Sequence, residues 1–267
     1  ENWAFYQGGG IWLNKETDGD RDEIPEVQII NNQISDNWVY EWYEYYWNRN
    51  TVKDKKVSRP PLLDRLDLND ESVAVLQEMH EYYSNQRNDR YGYLSLAGGG
   101  IYAYNCSPLI RDNEILSNHV VYEFIFYGYG NPNRDVLYGN VLGGGICLEN
   151  GRDWYSYDTE LLEPDVPEIY NNIISGNEAV AYEYSSYFPR EGTRSDGAWS
   201  CGGGIFNGNT NAQISENVIE GNRALYMISE DLWRPDNQLD PAEQTRDEDY
   251  VGAGGGIFSS VYPDSTF

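Results

Sequence analysis

Carboxylates and aromatic rings recur together in this chain, and they are its first candidates for chemistry. Three segments read Tyr40-Glu41-Trp42, Tyr122-Glu123-Phe124 and Tyr182-Glu183-Tyr184. On an alternating strand such a phrase makes one aromatic face and turns Glu to water. The same residues suit polysaccharide, because ring faces pack on sugar C–H surfaces while Glu accepts hydrogen bonds from hydroxyls. If Glu41, Glu123 and Glu183 stack on neighbouring strands they stand ~5 Å apart, near the carboxyl separation of a retaining glycosidase. A second group, Asp18-Gly19-Asp20-Arg21-Asp22-Glu23, alternates carboxylates around a glycine. Asp18, Asp20, Asp22 and Glu23 are candidate calcium ligands, since this hard cation takes several oxygens at about 2.3–2.6 Å. The pattern of an EF-hand-like loop is incomplete, because Ile29 stands where its terminal Glu belongs. A solvated acidic loop is the alternative. Asp247-Glu248-Asp249 is a weaker cluster of the same kind.

What must position these groups is a repeat. Gly-Gly-Gly-Ile occurs five times, ending at Ile11, Ile101, Ile146, Ile205 and Ile257. The first four copies are each followed by a second phrase: Ile29-x-x-Asn32-x-Ile34-x-x-Asn37, Ile110-x-x-Asn113-x-Ile115-x-x-Asn118, Ile169-x-x-Asn172-x-Ile174-x-x-Asn177 and Ile214-x-x-Asn217-x-Ile219-x-x-Asn222. Apolar positions five apart fit neither a helical period nor one long alternating strand. Two short strands joined at a corner do fit. Ile then enters a core from each strand, and Asn stands at the bend, where it tolerates left-handed backbone angles. Stacked coils bring Asn over Asn at ~4.8 Å, a spacing at which side-chain amides form a ladder. Three glycines make a narrow wall where the chain bends or another segment approaches closely. The residues after each triplet, Trp12, Tyr102, Cys147, Phe206 and Phe258, read as a packing column. The fold class is all-β, a right-handed parallel β-helix, and the whole chain 1–267 is one solenoid.

The segment GGGIYAYNCSPLIRDNEILSNHV (98–120) resembles the coil of secreted bacterial β-helix repeat proteins in the pectate-lyase-like superfamily. The Gly-Gly-x-Ile and x-x-Asn theme is also similar to chlamydial polymorphic outer-membrane proteins, which are surface adhesins. This resemblance covers the coil phrases, about half the chain, and implies the solenoid fold. It spans lyases, hydrolases, epimerases, adhesins and fibres, so it implies no single activity. The hydrolase-like set of motifs is not present as a set: Asp-Asp, Gly-His-Gly and Arg-x-Lys are missing, as is the Asp-Pro-His of epimerase-like sites. Lyase chemistry needs a base such as Lys or Arg beside a bound cation. The four lysines, at 15, 53, 55 and 56, all lie outside the coil phrases, and Arg111 stands alone.

Composition narrows the partners. Against 18 basic residues stand 44 acidic ones, a net charge of −26, so nucleic acid and anionic membranes are poor partners. No apolar run approaches the ~18 residues of a membrane-spanning helix, so no membrane insertion is expected. The chain opens at Glu1 rather than Met, which points to a processed or excised chain and an extracellular or cell-surface location. Cys106, Cys147 and Cys201 share no column and read as buried small apolar residues, with one bridging pair as the alternative.

The triplets are spaced 90, 45, 59 and 52 residues apart, so long segments leave the coils. Four of them, 40–97, 121–142, 181–201 and 225–253, depart from one corner and project from one side. The first holds a helix near 70–83 with Val73, Leu76, Met79 and Tyr83 on one face. The second reads as a hairpin, out over 121–127 and back over 135–142. His119 shares a variable, exposed column with Trp38, Glu178 and Arg223. Asn2-Trp3-Ala4 matches the close of a coil, so the chain starts in mid-coil and both ends present open edges. We expect head-to-tail self-association or continuation into a longer array, and an extracellular structural or adhesive role. Calcium and polysaccharide are the expected ligands, and a secreted polysaccharide lyase or glycoside hydrolase is the competing class.

Overall fold

The computed structural model describes residues 2–4, 8–14, 27–46, 73–74, 76–78, 94–127, 139–150, 166–185, 199–229, 248–251 and 254–260. After β1 (Trp3–Ala4), the first coil runs β2 (Ile11–Asn14), β3 (Gln28–Ile30), β4 (Gln33–Ser35) and β5 (Trp38–Tyr46). The second comprises β6 (Leu94–Ala97), β7 (Ile101–Tyr104), β8 (Leu109–Arg111), β9 (Glu114–Leu116) and β10 (His119–Tyr127). The third repeats them as β11 (Gly139–Leu142), β12 (Ile146–Glu149), β13 (Glu168–Tyr170), β14 (Ile173–Ser175) and β15 (Glu178–Ser185). The fourth is β16 (Trp199–Cys201), β17 (Ile205–Gly208), β18 (Gln213–Ser215), β19 (Val218–Glu220) and β20 (Arg223–Ser229), followed by β21 (Glu248–Val251) and β22 (Ile257–Ser260).

Equivalent strands pair in parallel from coil to coil and give five sheets: β2-β7-β12-β17-β22, β3-β8-β13-β18, β4-β9-β14-β19, β6-β11-β16 and β1-β5-β10-β15-β20-β21. This is the parallel β-helix that the repeat predicts. Ile29, Ile110, Ile169 and Ile214 share one register column, and Ile34, Ile115, Ile174 and Ile219 another. Ile110, Ile115, Ile169, Ile174, Ile101, Ile146 and Ile205 are wholly buried in one core. Each such side chain contributes roughly 1.5–3 kcal/mol relative to exposure.

Both asparagine columns form ladders. Asn32, Asn113 and Asn172 each donate from Nδ2 to the Oδ1 of the next, ending at Asn217. Asn37, Asn118 and Asn177 do the same, ending at Asn222. Asn2 Nδ2 adds one more donor at the start, 2.8 Å from Asn37 Oδ1. The corner geometry differs from the sequence expectation. The residue before each ladder Asn takes the left-handed backbone: Asn31, Asp112, Asn171 and Glu216 at one bend, Asp36, Ser117, Gly176 and Gly221 at the other. The bend is thus made one residue early, which leaves the Asn side chain free to turn along the stack.

The glycine wall meets the expectation of close approach. The first glycine of every triplet has φ between 60 and 66, a region that disfavours side chains. At the third, a Cβ on Gly10, Gly100, Gly145 or Gly204 would stand 2.6 Å from a carbonyl oxygen of the next triplet. The N–H groups here all point one way. Those of Gly98, Gly99 and Ile101 donate to the carbonyls of Leu142, Gly143 and Gly145, and the other coils repeat this pattern.

Coil structure reaches further into the projecting segments than the repeat suggests. The long strands β5, β10 and β15 form the start of three segments read as insertions, and β6, β11 and β16 form the end of three. The expected hairpin over 121–142 is therefore wrong. Its two arms, β10 and β11, belong to different sheets, each pairing with its counterparts in adjacent coils. Stacking, not local return, satisfies their backbone. Helix is present within 73–78, where Val73 and Leu76 are buried, and Met79 and Tyr83 lie outside the described residues. Among the described residues all pairings are parallel except one: β21 lies antiparallel on β20, opposite Leu225–Ile228.

Candidate functional site

Tyr40-Glu41-Trp42, Tyr122-Glu123-Phe124 and Tyr182-Glu183-Tyr184 do lie on stacked neighbouring strands, β5, β10 and β15. Their register does not bring like over like. Tyr122 stands beside Glu41 and Ala181, Glu123 beside Trp42 and Tyr182, and Glu183 beside Phe124. The phrase slips by one residue per coil. A slip of one turns a side chain to the opposite face of its sheet, so Glu41 and Glu123 point away from each other. The paired-carboxylate geometry of a retaining glycosidase is thereby excluded for these two residues. The signal was available: the tyrosine comes three residues after Asn37, four after Asn118 and five after Asn177.

At Tyr40-Glu41-Trp42 and at Tyr122-Glu123 neither face of this sheet is open, whereas Tyr182 is half-buried. Tyr40, Glu41 and Trp42 are 1–3% exposed, and Tyr122 and Glu123 are equally buried. β11 packs against β10 and β15, and β16 against β15 and β20. The expectation that Glu turns to water therefore fails for both acids. The Tyr40 hydroxyl donates to Glu123, and the Tyr40 and Trp42 rings lie 5.6 Å apart. The side chains of Phe124, Glu183 and Tyr184 lie outside the described residues. So do Asp18, Asp20, Asp22 and Glu23; among the described residues no cluster of three His, Cys, Asp or Glu could hold a metal.

A second line of polar groups runs along the corner column. Trp3, Trp38, His119, Glu178 and Arg223 succeed one another in register. The His119 ring stacks on Trp38 at 4.1 Å, and its Nδ1 stands 3.3 Å from Glu178. Arg223 bonds the same carboxylate with two nitrogens. His119 is thus partly buried rather than exposed. His119 first, and Arg223 after it, hold the Glu178 carboxyl below its usual range, against a smaller opposing effect of burial. A carboxylate depressed in the folded state stabilises above its unfolded pKa, and that contribution is lost as pH falls through the folded value. Glu178→Gln should therefore cost on the order of 1 kcal/mol at neutral pH and nothing near about pH 2. Urea unfolding at both pH values checks this; an equal gap at both would show that the charge plays no part.

On the outer side of the glycine sheet, the Tyr102 hydroxyl donates to Glu149 at 2.9 Å. Burial pushes both groups up in pKa, with Glu149 a further cause for Tyr102. The Tyr104 ring stacks on Tyr102. Cys147 lies beside them, wholly buried, and its thiol is held well above its usual range, so it is inert as a nucleophile. The cysteines are free and buried, as the sequence suggests for small apolar residues. This cluster packs the coil and presents no open nucleophile.

The remaining candidate is the pair of open coil faces. Beyond Gly254–Ile257 no further coil lies among the described residues, and the N–H groups there face outward in the direction that every earlier triplet uses for stacking. At the opposite face the carbonyls of Gly8, Gly9 and Gly10 look out, since the one-way ladder places acceptors on that side. Apolar groups accompany them: Trp12 is 58% exposed at one face and Ile257 43% at the other. Both belong to columns whose interior members are buried. Open coil faces of this kind were legible in the repeat, whereas β21, which covers part of one of them, was not. Comparison with protein-family models, with curated proteins and with solved structures finds no match to this chain.

Proposed function

We propose that this chain is a structural, adhesive-type β-solenoid that works outside the cell as part of a rod lengthened by coil stacking. The observation that carries this is the polarity of its ladders. Along the glycine triplets the backbone N–H groups donate toward the following coil, as the Nδ2–Oδ1 bonds of the asparagine ladders do, so at the glycine wall the last triplet presents donors and the first presents acceptors. Buried polar groups without partners cost about 1–3 kcal/mol each, and a further coil satisfies both faces at once. The resemblance of the coils to secreted and surface solenoids supports an extracellular setting, as does the net charge of −26, which favours a solvated surface. Polysaccharide contact and calcium at Asp18, Asp20, Asp22 and Glu23 remain parts of this proposal. The competing glycosidase reading is weakened by the opposite facing of Glu41 and Glu123.

Sedimentation velocity and negative-stain microscopy over a concentration series test the reading. The expected result is rods and particles well above the 30.6 kDa of one chain. A monodisperse monomer at the highest soluble concentration would discard it.

A further inference from the structure

We infer that the Gly254–Ile257 face docks the Gly8–Ile11 face of a second copy of this chain, triplet on triplet, continuing the glycine sheet across the junction. This rests on the rod reading above and specifies its interface.

The starting point is a glycine that no described residue requires. At Gly10, Gly100, Gly145 and Gly204, a Cβ would meet the next triplet's carbonyl oxygen at 2.6 Å. Contacts that short do not occur, so glycine is obligatory wherever another triplet lies above. Among the described residues, the nearest atom to such a Cβ at Gly256 is Ile219 Cγ2 at 3.7 Å, an ordinary contact. Its φ also lies outside the region that disfavours side chains, unlike that of Gly254. Nothing among the described residues makes Gly256 a glycine. A triplet stacked above it would.

Within the glycine sheet the two faces then match residue by residue. Carried over from the interior coils, the register bonds Gly255, Gly256 and Ile257 N–H to the carbonyls of Gly8, Gly9 and Gly10 of the second copy, as Gly9, Gly10 and Ile11 bond to Gly98, Gly99 and Gly100. Ile257, 43% exposed, is covered by Ile11. Phe258, already stacked on Phe206 at 5.8 Å, receives Trp12, which is 58% exposed. The aromatic column from Trp12 through Tyr102, Cys147 and Phe206 to Phe258 thus runs on into the next copy. The long-strand sheet is compatible with this junction. β21 covers Leu225–Ile228, and among the described residues no strand pairs beyond Arg223 and Ala224, the two columns that Trp3 and Ala4 occupy at the other face. The contact is heterologous, so it propagates without closing.

Gly256→Ala separates the possibilities. We expect it to fold with an unchanged circular dichroism spectrum and melting temperature, yet to associate roughly tenfold more weakly or not at all by sedimentation. Gly204→Ala, with a carbonyl oxygen at 2.6 Å inside the chain, serves as the control that unfolds. Trp12→Ala should also weaken association while sparing the fold. Rods that persist in Gly256→Ala with wild-type affinity would overturn the triplet junction while leaving the rod reading in place. A wild-type chain that forms no rods would remove the rod reading itself. Monomeric Gly256→Ala that melts as early as Gly204→Ala would mean that the chain covers its own face, which also overturns the junction.

Discussion

A single methyl group at Gly144 should unfold the solenoid. A Cβ there would stand 2.5 Å from the Gly203 carbonyl oxygen and 2.6 Å from both the backbone C and N of Glu178. All three are backbone atoms fixed by their own ladders, so no side chain can swing aside. Relief requires the third and fourth coils to separate, which breaks the bonds of Gly144 and Gly145 N–H to Gly202 and Gly203 and strips the Ile146–Ile205 contact of its packing. The cost should exceed about 4 kcal/mol, the scale at which small domains lose their fold. Gly144→Ala should therefore express as aggregate or lack a cooperative melt by circular dichroism. Gly176→Ala is the instructive contrast. Its φ is +65, but the nearest atom is Ser117 Oγ at 3.5 Å, so only the backbone penalty of roughly 1–2 kcal/mol applies. If Gly144→Ala melts like Gly176→Ala, the coils are less tightly fixed than these distances require.

The second large effect is expected at Asn118. Its Oδ1 accepts from both the backbone N–H and the Nδ2 of Asn37, and its own Nδ2 donates to Ile34 O and Asn177 Oδ1. The side chain is fully buried, so water cannot substitute. Asn118→Ala strands the Asn37 donors and the Ile34 carbonyl, at about 1–3 kcal/mol for each group left unmade. A loss of roughly 4 kcal/mol in urea-derived stability is expected, with cavity formation included. Asn32→Ala removes a side chain at the exposed end of the other ladder and should cost about 1 kcal/mol. Losses below about 0.5 kcal/mol at both sites would show that the ladders are decorative and that the isoleucine core alone sets stability.

These two residues also mark what was legible in the sequence. The ladder asparagines and core isoleucines could be read because each coil repeats a short phrase at fixed internal spacing, and stacking forces identical residues into one column. The left-handed corner was misplaced because Asn, Asp, Ser, Glu and Gly all fill it, so Asn31 or Ser117 carries no repeated letter. Glu41, Glu123 and Glu183 were misread for the opposite reason. Their local phrase repeats while its distance from the ladder does not, and register follows the ladder. Burial of Glu41 and Glu123 was hidden as well, since it depends on β11 and β16 packing across from another part of the coil. A strand four residues long without a repeated motif, such as Gly139–Leu142, leaves little trace in one sequence.

Bringing coils together requires closing long excursions of chain, and the price of doing so is nearly independent of their length. Asn37 and Asn118 pair across 81 residues, Asn118 and Asn177 across 59, and Asn177 and Asn222 across 45. Loop-closure entropy grows only as the logarithm of length, so the longest of these excursions costs about 0.5 kcal/mol more than the shortest. One ladder contact outweighs that difference. Segments between strands can therefore lengthen, shorten or change composition without disturbing the register of the stack. Such a scaffold separates the energetics of holding a position from the choice of what to display there.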